Sequence, residues 1–324
     1  MGVKDMEIYW ADAREKDELI DFCDYVFSKA HRPHDFASLL PKLYGARGEG
    51  AAHHVVIREG GRIEATLAAW PTVMRVGKER LAGIGVGMVA VHPRARGKGY
   101  MQAMLDAVDA RAKETGAAFA VLSGDRQRYA YYGYEYGGYQ MNAVLTPSNV
   151  RHALRDAHVQ GMEIHAMTDG DVPWAMALME REPCYCERRE DAFADILRSW
   201  NNEPFVVRRD GRLVGYGALR CNPDICRIAE LLLQDERDLP AVMKLLSARY
   251  GKLGAIAAPW QKERAAWLSA VCADFSIGPC HAWKIYDEAR VRHAMTLLGG
   301  GDEGFGFAGF AHPLPLFIGP PDAV

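Results

Sequence analysis

Apolar positions along the chain alternate between helical and strand periods, and the switches between them mark out elements. MEIYW (6–10) reads as a short strand. In AREKDELIDFCDYVFSKAH (13–31), Leu19, Phe22, Cys23, Val26 and Phe27 recur every three or four residues, which predicts a helix with one buried face. AHHVVIREGGRIEATLAAWPTVMRV (52–76) reads as two strands joined by a hairpin turn at Gly60-Gly61. ERLAGIGVGMVAVHP (79–93) is a further strand, apolar on both faces and stopped by Pro93. A basic, glycine-containing loop follows, then a helix over 99–114, then a buried strand in GAAFAVLSGD (116–125).

The same order recurs about 150 residues later, a domain's length. MEI at 6–8 returns at 162–164, and HVVIREGGRIEATLA (54–68) is echoed by FVVRRDGRLVGYGAL (205–219) with the glycine turn in the same place. Any two hairpins look somewhat alike, but two landmarks in the same order argue for an internal duplication. One piece is not copied. RIAELLLQDERDLPAVMKLLSARY (227–250) places Gln234, Asp235 and Glu236 where the first copy has its basic glycine loop, and an anion would be repelled there. The expected architecture is α/β with mixed sheets. It comprises a first domain over 1–150, a degenerate second copy over 151–285, and a tail over 286–324 that docks across both. Trp174, Trp200, Trp260, Trp267 and Trp283 give the second copy apolar surface for that packing.

Composition narrows the function. Of 324 residues, 39 are Lys or Arg and 42 Asp or Glu, a formal charge of −3 that leaves no footprint for nucleic acid or an anionic membrane. No apolar run reaches the length of a bilayer span, the start lacks a signal-peptide core, and Met6 stands where a myristoylation signal needs Ser or Thr. The expectation is a cytoplasmic protein. Its seven cysteines form no CxxC, so reduced, structural thiols and no metal are expected; Cys184 and Cys186 would share one side of an extended segment.

The loop carries the chemistry. Arg94, Arg96 and Lys98 alternate with Gly97 and Gly99 at the mouth of a helix, directly after a strand ending Val89-Ala90-Val91. A helix start offers unpaired N–H groups and a positive dipole end, and glycine lets a phosphate approach the backbone. The plain alternative is a solvated basic turn. GVGMVA (85–90) matches a dinucleotide fingerprint, but it continues a strand instead of opening a helix, and no Walker loop occurs.

Strand, Arg94-x-x-Gly97-x-Gly99 and helix together resemble the GNAT superfamily of N-acetyltransferases. The resemblance implies acetyl-CoA as cosubstrate. Thioester contacts would come from the backbone of Met88, Val89, Ala90 and Val91, and pyrophosphate contacts from Arg94, Ala95, Arg96, Gly97, Lys98, Gly99 and Tyr100. Ser123 and Tyr132 would lie beside the cosubstrate. Six tyrosines fall between 129 and 139, and Tyr129-Ala130-Tyr131-Tyr132-Gly133-Tyr134 resembles a segment of the two-copy, enhanced-intracellular-survival (Eis)-like branch. There the first tyrosine protonates the departing thiolate, which assigns the general acid to Tyr129, with Arg126 and Arg128 favouring the anionic product. That branch also brings its C-terminal carboxylate to the active site, which would make Val324 a catalytic group. Members of that branch usually carry about 100 further residues in a sterol-carrier-like third domain, whereas 41 residues follow Trp283 in this sequence. The acceptor pocket would follow the first helix, where His31, His34 and Asp35 could orient or deprotonate an amine; Glu64 and Glu79 are alternative bases. The implied reaction is transfer of acetyl to a primary amine of a small molecule or peptide, in a chain able to form a homo-oligomer. The rival is a non-catalytic acyl-CoA sensor that keeps the loop and needs no proton chemistry.

Overall fold

The computed structural model describes residues 6–298 apart from 47 and 273. In the first half, β1 (Met6–Trp10) leads to α1 (Lys16–Ala30), α2 (Phe36–Leu39) and α3 (Pro41–Tyr44). Then come β2 (His54–Glu59), β3 (Arg62–Val76), β4 (Glu79–Val91), α4 (Tyr100–Thr115), β5 (Phe119–Leu122), α5 (Arg126–Tyr129), β6 (Glu135–Gly137) and β7 (Gln140–Leu145). After α6 (Pro147–Ala153), the second half runs β8 (Met162–Ala166), α7 (Val172–Met179), β9 (Cys184–Cys186), α8 (Glu190–Arg198), β10 (Glu203–Arg209), β11 (Arg212–Cys221) and β12 (Cys226–Leu233). It closes with α9 (Leu239–Tyr250), β13 (Leu253–Ala257), α10 (Lys262–Val271), β14 (Asp274–Gly278), β15 (His281–Ile285) and α11 (Glu288–Leu297).

Two mixed sheets result, ordered β1-β2-β3-β4-β5-β15-β6 and β14-β7-β13-β12-β11-β10-β8, with β9 added on β3. Both copies place a parallel pair at the same step, β4 with β5 and β12 with β13. The repeated landmarks are β1 and β8, and the hairpins β2–β3 and β10–β11.

The copies also exchange a strand. β7 leaves the first sheet and pairs between β13 and β14, while β15 pairs between β5 and β6. The expected 1–150 unit therefore ends on a strand that lies in the other sheet. β15 is held firmly: Trp283 is buried against Phe119 and donates its indole N–H to the Gly137 carbonyl at 3.1 Å. Lys284 Nζ lies 2.6 Å from Asp109 on α4, and the Tyr286 hydroxyl donates to the same carboxylate at 2.7 Å.

α4 covers one face of the first sheet, burying Met104, Leu105 and Val108 against Val55, Leu67 and Val86. α1–α3 cover the other, around Met88 and Ala68, and α11 continues that layer over Phe119 and Trp283. Residues 286–298 of the expected docking tail thus pack on the first sheet. On the second sheet α9 and α10 fill one face, and α7 and α8 part of the other.

The cysteines need one correction. Cys221 and Cys226 face each other across the β11–β12 turn and form a disulfide, because the hairpin register sets them opposite. Cys184 and Cys186 are both buried and share one side of β9.

Candidate functional site

The site begins with a break in the ladder between β3 and β4. Thr66 pairs with Ala90 and Ala68 with Gly87, so Met88 and Val89 together oppose Leu67. Met88 takes φ 53°, a left-handed conformation costly for a residue with a Cβ, and its side chain is buried among Cys23, Phe36, Leu43 and Ala68. On its other edge β4 pairs with β5 only from Gly83 to Val86. The two strands then part, and among the described residues no strand pairs with Gly87–Val91 on that side. A bulge on one edge and an unpaired edge on the other leave backbone groups directed into a wedge.

Beyond the wedge, a turn at Pro93–Ala95 leads to Gly97 and Gly99, both at φ 80°. Nothing lies within 4 Å of a Cβ built on either glycine, so each is set by backbone conformation and faces open space. Gly99 caps α4 without a side-chain hydrogen bond, leaving the first-turn N–H groups free for a ligand. Two loop cations are tethered from below. Arg94 Nη2 lies 2.6 Å from Glu64, which is 4% exposed, and Lys98 Nζ lies 2.7 Å from Glu59. Tyr100 donates to Glu59 at 3.2 Å. Arg96 is exposed and has no ion pair among the described residues. The arrangement suits a pyrophosphate: a dipole end, glycine backbone and pre-positioned cations at the mouth of an apolar slot.

Tyr129 ends α5 and packs into the core beneath that slot, with Val86, Ala95, Tyr100 and Leu122. Its ring lies so close to Gly124 that a Cβ there would sit 2.4 Å from Cε2. Burial raises its pKa above the usual tyrosine value, an effect opposed by Arg128. Ser123 pairs with His281 of β15 at 2.9 Å, and Tyr132 is half-buried beside the same core. Arg126 is paired with Glu135 at 2.8 Å, and Arg128 lies 3.8 Å from Asp125.

The expected acceptor residues sit in the turn between α1 and α2. Asp35 caps α2, accepting from the Ser38 N–H at 3.0 Å and the Ser38 hydroxyl at 2.7 Å. The His34 ring stacks on Phe36, with Nδ1 2.7 Å from the Arg32 carbonyl. Both positions are occupied in building the turn between α1 and α2. Glu79 opens β4 nine residues before Met88, about 30 Å away along a strand, so it is remote from the wedge. Val324 lies outside the described residues.

The second copy, expected from the sequence to build one wall of the acceptor site, borders a cavity at its junction with the first. A cavity of about 480 Å³ opens between the halves, lined by Glu49, His53, Trp70 and Thr72 from the first, and by Glu187 and Arg189 from the second. It lies on the Met88 face of β3. Its second wall is braced by Arg188, whose guanidinium donates to both Glu230 oxygens at 2.9 and 2.6 Å. Trp200 joins the side chains around Met88 from across the junction, on a backbone turn where both Trp200 (φ 63°) and Asn201 (φ 59°) are left-handed. Only the tryptophans signalled this role in the sequence.

The matching wedge in the second copy, between β12 and β13, is closed to about 80 Å³. Arg264 from α10 enters it, donating to the Leu231 carbonyl at 2.6 Å and pairing with Glu236. Glu236 belongs to the segment that replaces the basic loop.

Comparisons with known proteins agree with this geometry. Residues 7–137 match the family model described as acetyltransferase (GNAT) domain. No curated protein matches the chain. Among solved structures, a GCN5-related N-acetyltransferase from Kribbella flavida superposes with a TM-score of 0.68 at 15% identity, over 90% of this chain and 74% of that one. Eis1 from Mycobacterium abscessus gives 0.63 at 14% identity, over 90% and 76%. N-myristoyltransferase from Saccharomyces cerevisiae with bound myristoyl-CoA gives 0.53 at 10%, over 89% and 84%. Residues 7–137 of the chain therefore carry a GNAT acetyltransferase domain, and the chain shares its fold with an Eis protein.

Proposed function

We propose that the chain transfers acetyl from acetyl-CoA to a primary amine of a small molecule or peptide by direct attack. The observation that carries this reading is the wedge at Met88–Val91 leading to the uncapped start of α4. First-turn N–H groups and Arg96 would hold the pyrophosphate, with Arg94 and Lys98 steadied by Glu64 and Glu59. Backbone groups at the bulge would orient the thioester carbonyl. The acceptor would enter through the cavity between the halves, on the bulge's other face. Its nitrogen attacks the carbonyl carbon, the C–S bond breaks, and the departing thiolate takes the Tyr129 phenol proton. The amine's surplus proton leaves to water or a base. Burial keeps that phenol protonated at neutral pH, as a general acid requires. One amine-panel assay of acetyl-CoA consumption tests the reading: no turnover with any amine, alongside no binding of CoA, removes it. Tyr129→Phe should lower turnover about 100-fold and leave CoA affinity unchanged. Undiminished turnover would move the acid elsewhere.

A further inference from the structure

The two sheets differ in one covering. On the first, α11 packs over the start of β4 and β5, beside α1–α3. On the second, the corresponding region over β12, β13 and β7 carries no helix among the described residues, and a hollow of about 500 Å³ remains. Gln140 and Asn142 on β7 face it, since their neighbours Met141 and Ala143 point into the opposite core. Asn202 and Ser276 add further hydrogen-bonding groups.

One side of the hollow is strongly basic. Arg220 and Arg227 are direct cross-strand partners on β11 and β12, so they project from the same face of the sheet as neighbours. Like charges set opposite each other destabilise a hairpin unless something neutral or negative is placed between them. The Cys221–Cys226 disulfide, one pair further along, fastens the two arginines in that register. Arg220 donates to the Trp200 carbonyl at 3.2 Å, and Arg227 lies across Gly254, where a Cβ would come within 3.5 Å of its Nη1. Arg32, from the turn after α1, adds a third positive charge: partial desolvation first, then Arg227 and Arg32, hold the Arg220 pKa down. Among the described residues no carboxylate pairs with any of the three, and the hollow's acidic lining residue is Asp274 on the edge strand β14.

We propose that this hollow is a binding site for a small organic anion. Its phosphate or carboxylate would be held between Arg220 and Arg227, with Gln140, Asn142 and Asn202 reading the remainder. Guanidinium forks match both groups in a bidentate geometry, and the volume exceeds what a bare oxyanion fills. The site is separate from the α4 loop and independent of the acetyl-transfer reading.

Calorimetric titration of the full chain with glycerol 3-phosphate and with succinate, at constant ionic strength, tests it and distinguishes the two head groups. Because the α4 loop also attracts phosphate, the comparison is between two double variants. R220Q/R227Q should weaken binding of the preferred anion at least about tenfold, whereas R96Q/K98Q should leave a site of wild-type affinity. Both arginines are exposed, so the melting temperature should hold; Arg227→Lys, which keeps the charge and loses the fork, provides an intermediate loss in a folded protein. No binding of either anion at millimolar concentration overturns the proposal. So does binding that survives in R220Q/R227Q.

Discussion

His54 illustrates how a single buried group sets a property of the protein. It is fully buried on β2, 2.7 Å from the Tyr44 hydroxyl and 2.8 Å from Thr66 Oγ1, and burial pushes its pKa down to about 3. The unfolded chain, with a histidine near 6.5, binds a proton that the native protein refuses. Stability linked to His54 is therefore full above pH 6.5 and is lost as pH falls towards 3, amounting to about 2 kcal/mol by pH 5. Chemical denaturation at pH 7 and pH 5 should show that slope. His54→Gln should flatten it, whatever its own stability at pH 7; an unchanged slope would assign the acid sensitivity to other groups. Tyr129 shows the opposite displacement for the same cause. Burial disfavours its phenolate, so the alkaline limb of turnover should lie above pH 10 when this phenol is the acid.

Among the elements, the strand exchange decides how the halves depend on each other. Without β15 the first sheet would lose the ladder between β5 and β6, together with Trp283 and the Lys284–Asp109 pair. A chain ending near residue 158 should therefore show no cooperative melting. Adding residues 159–324 as a separate polypeptide should restore a single transition. A well-folded isolated half would contradict this. The strands up to β5, α1, α4 and the glycine loop were legible in the sequence because local periodicity, Pro93 and Gly97/Gly99 specify them without tertiary help. The exchange was not, because nothing local in the sequence of β7 or β15 selects a sheet, and only long-range pairing does. At the α1–α2 turn, His34 and Asp35 have the residue types of an acceptor site, and a ring stack and a helix cap also employ them. The bulge at Met88 left no mark, since a left-handed methionine is imposed by the register around it.

Taken together, the two copies have divided their tasks. One keeps an open wedge with a glycine loop, and the other has closed its wedge with Arg264 and replaced the loop with Asp235, Glu236 and Asp238. Saturation binding should accordingly give one CoA per chain. A second site would refute the division. Arg264→Ala should destabilise the protein by about 3 kcal/mol, because Glu236 and the Leu231 carbonyl lose their partner, without creating a second CoA site while the acidic segment remains. The second copy instead supplies Trp200, Glu187 and Arg189 to the junction.

The bond from Trp283 to Gly137 spans 146 positions of sequence. At ribosomal rates of roughly 5–20 residues per second, β6 leaves the exit tunnel on the order of ten seconds before its partner strand exists. For that interval the nascent chain presents an apolar gap with unpaired backbone beside β5, a docking place for holding chaperones. A premature stop in the second half of the message would leave that gap permanently open, so the damage would fall on the copy that had already been fully translated.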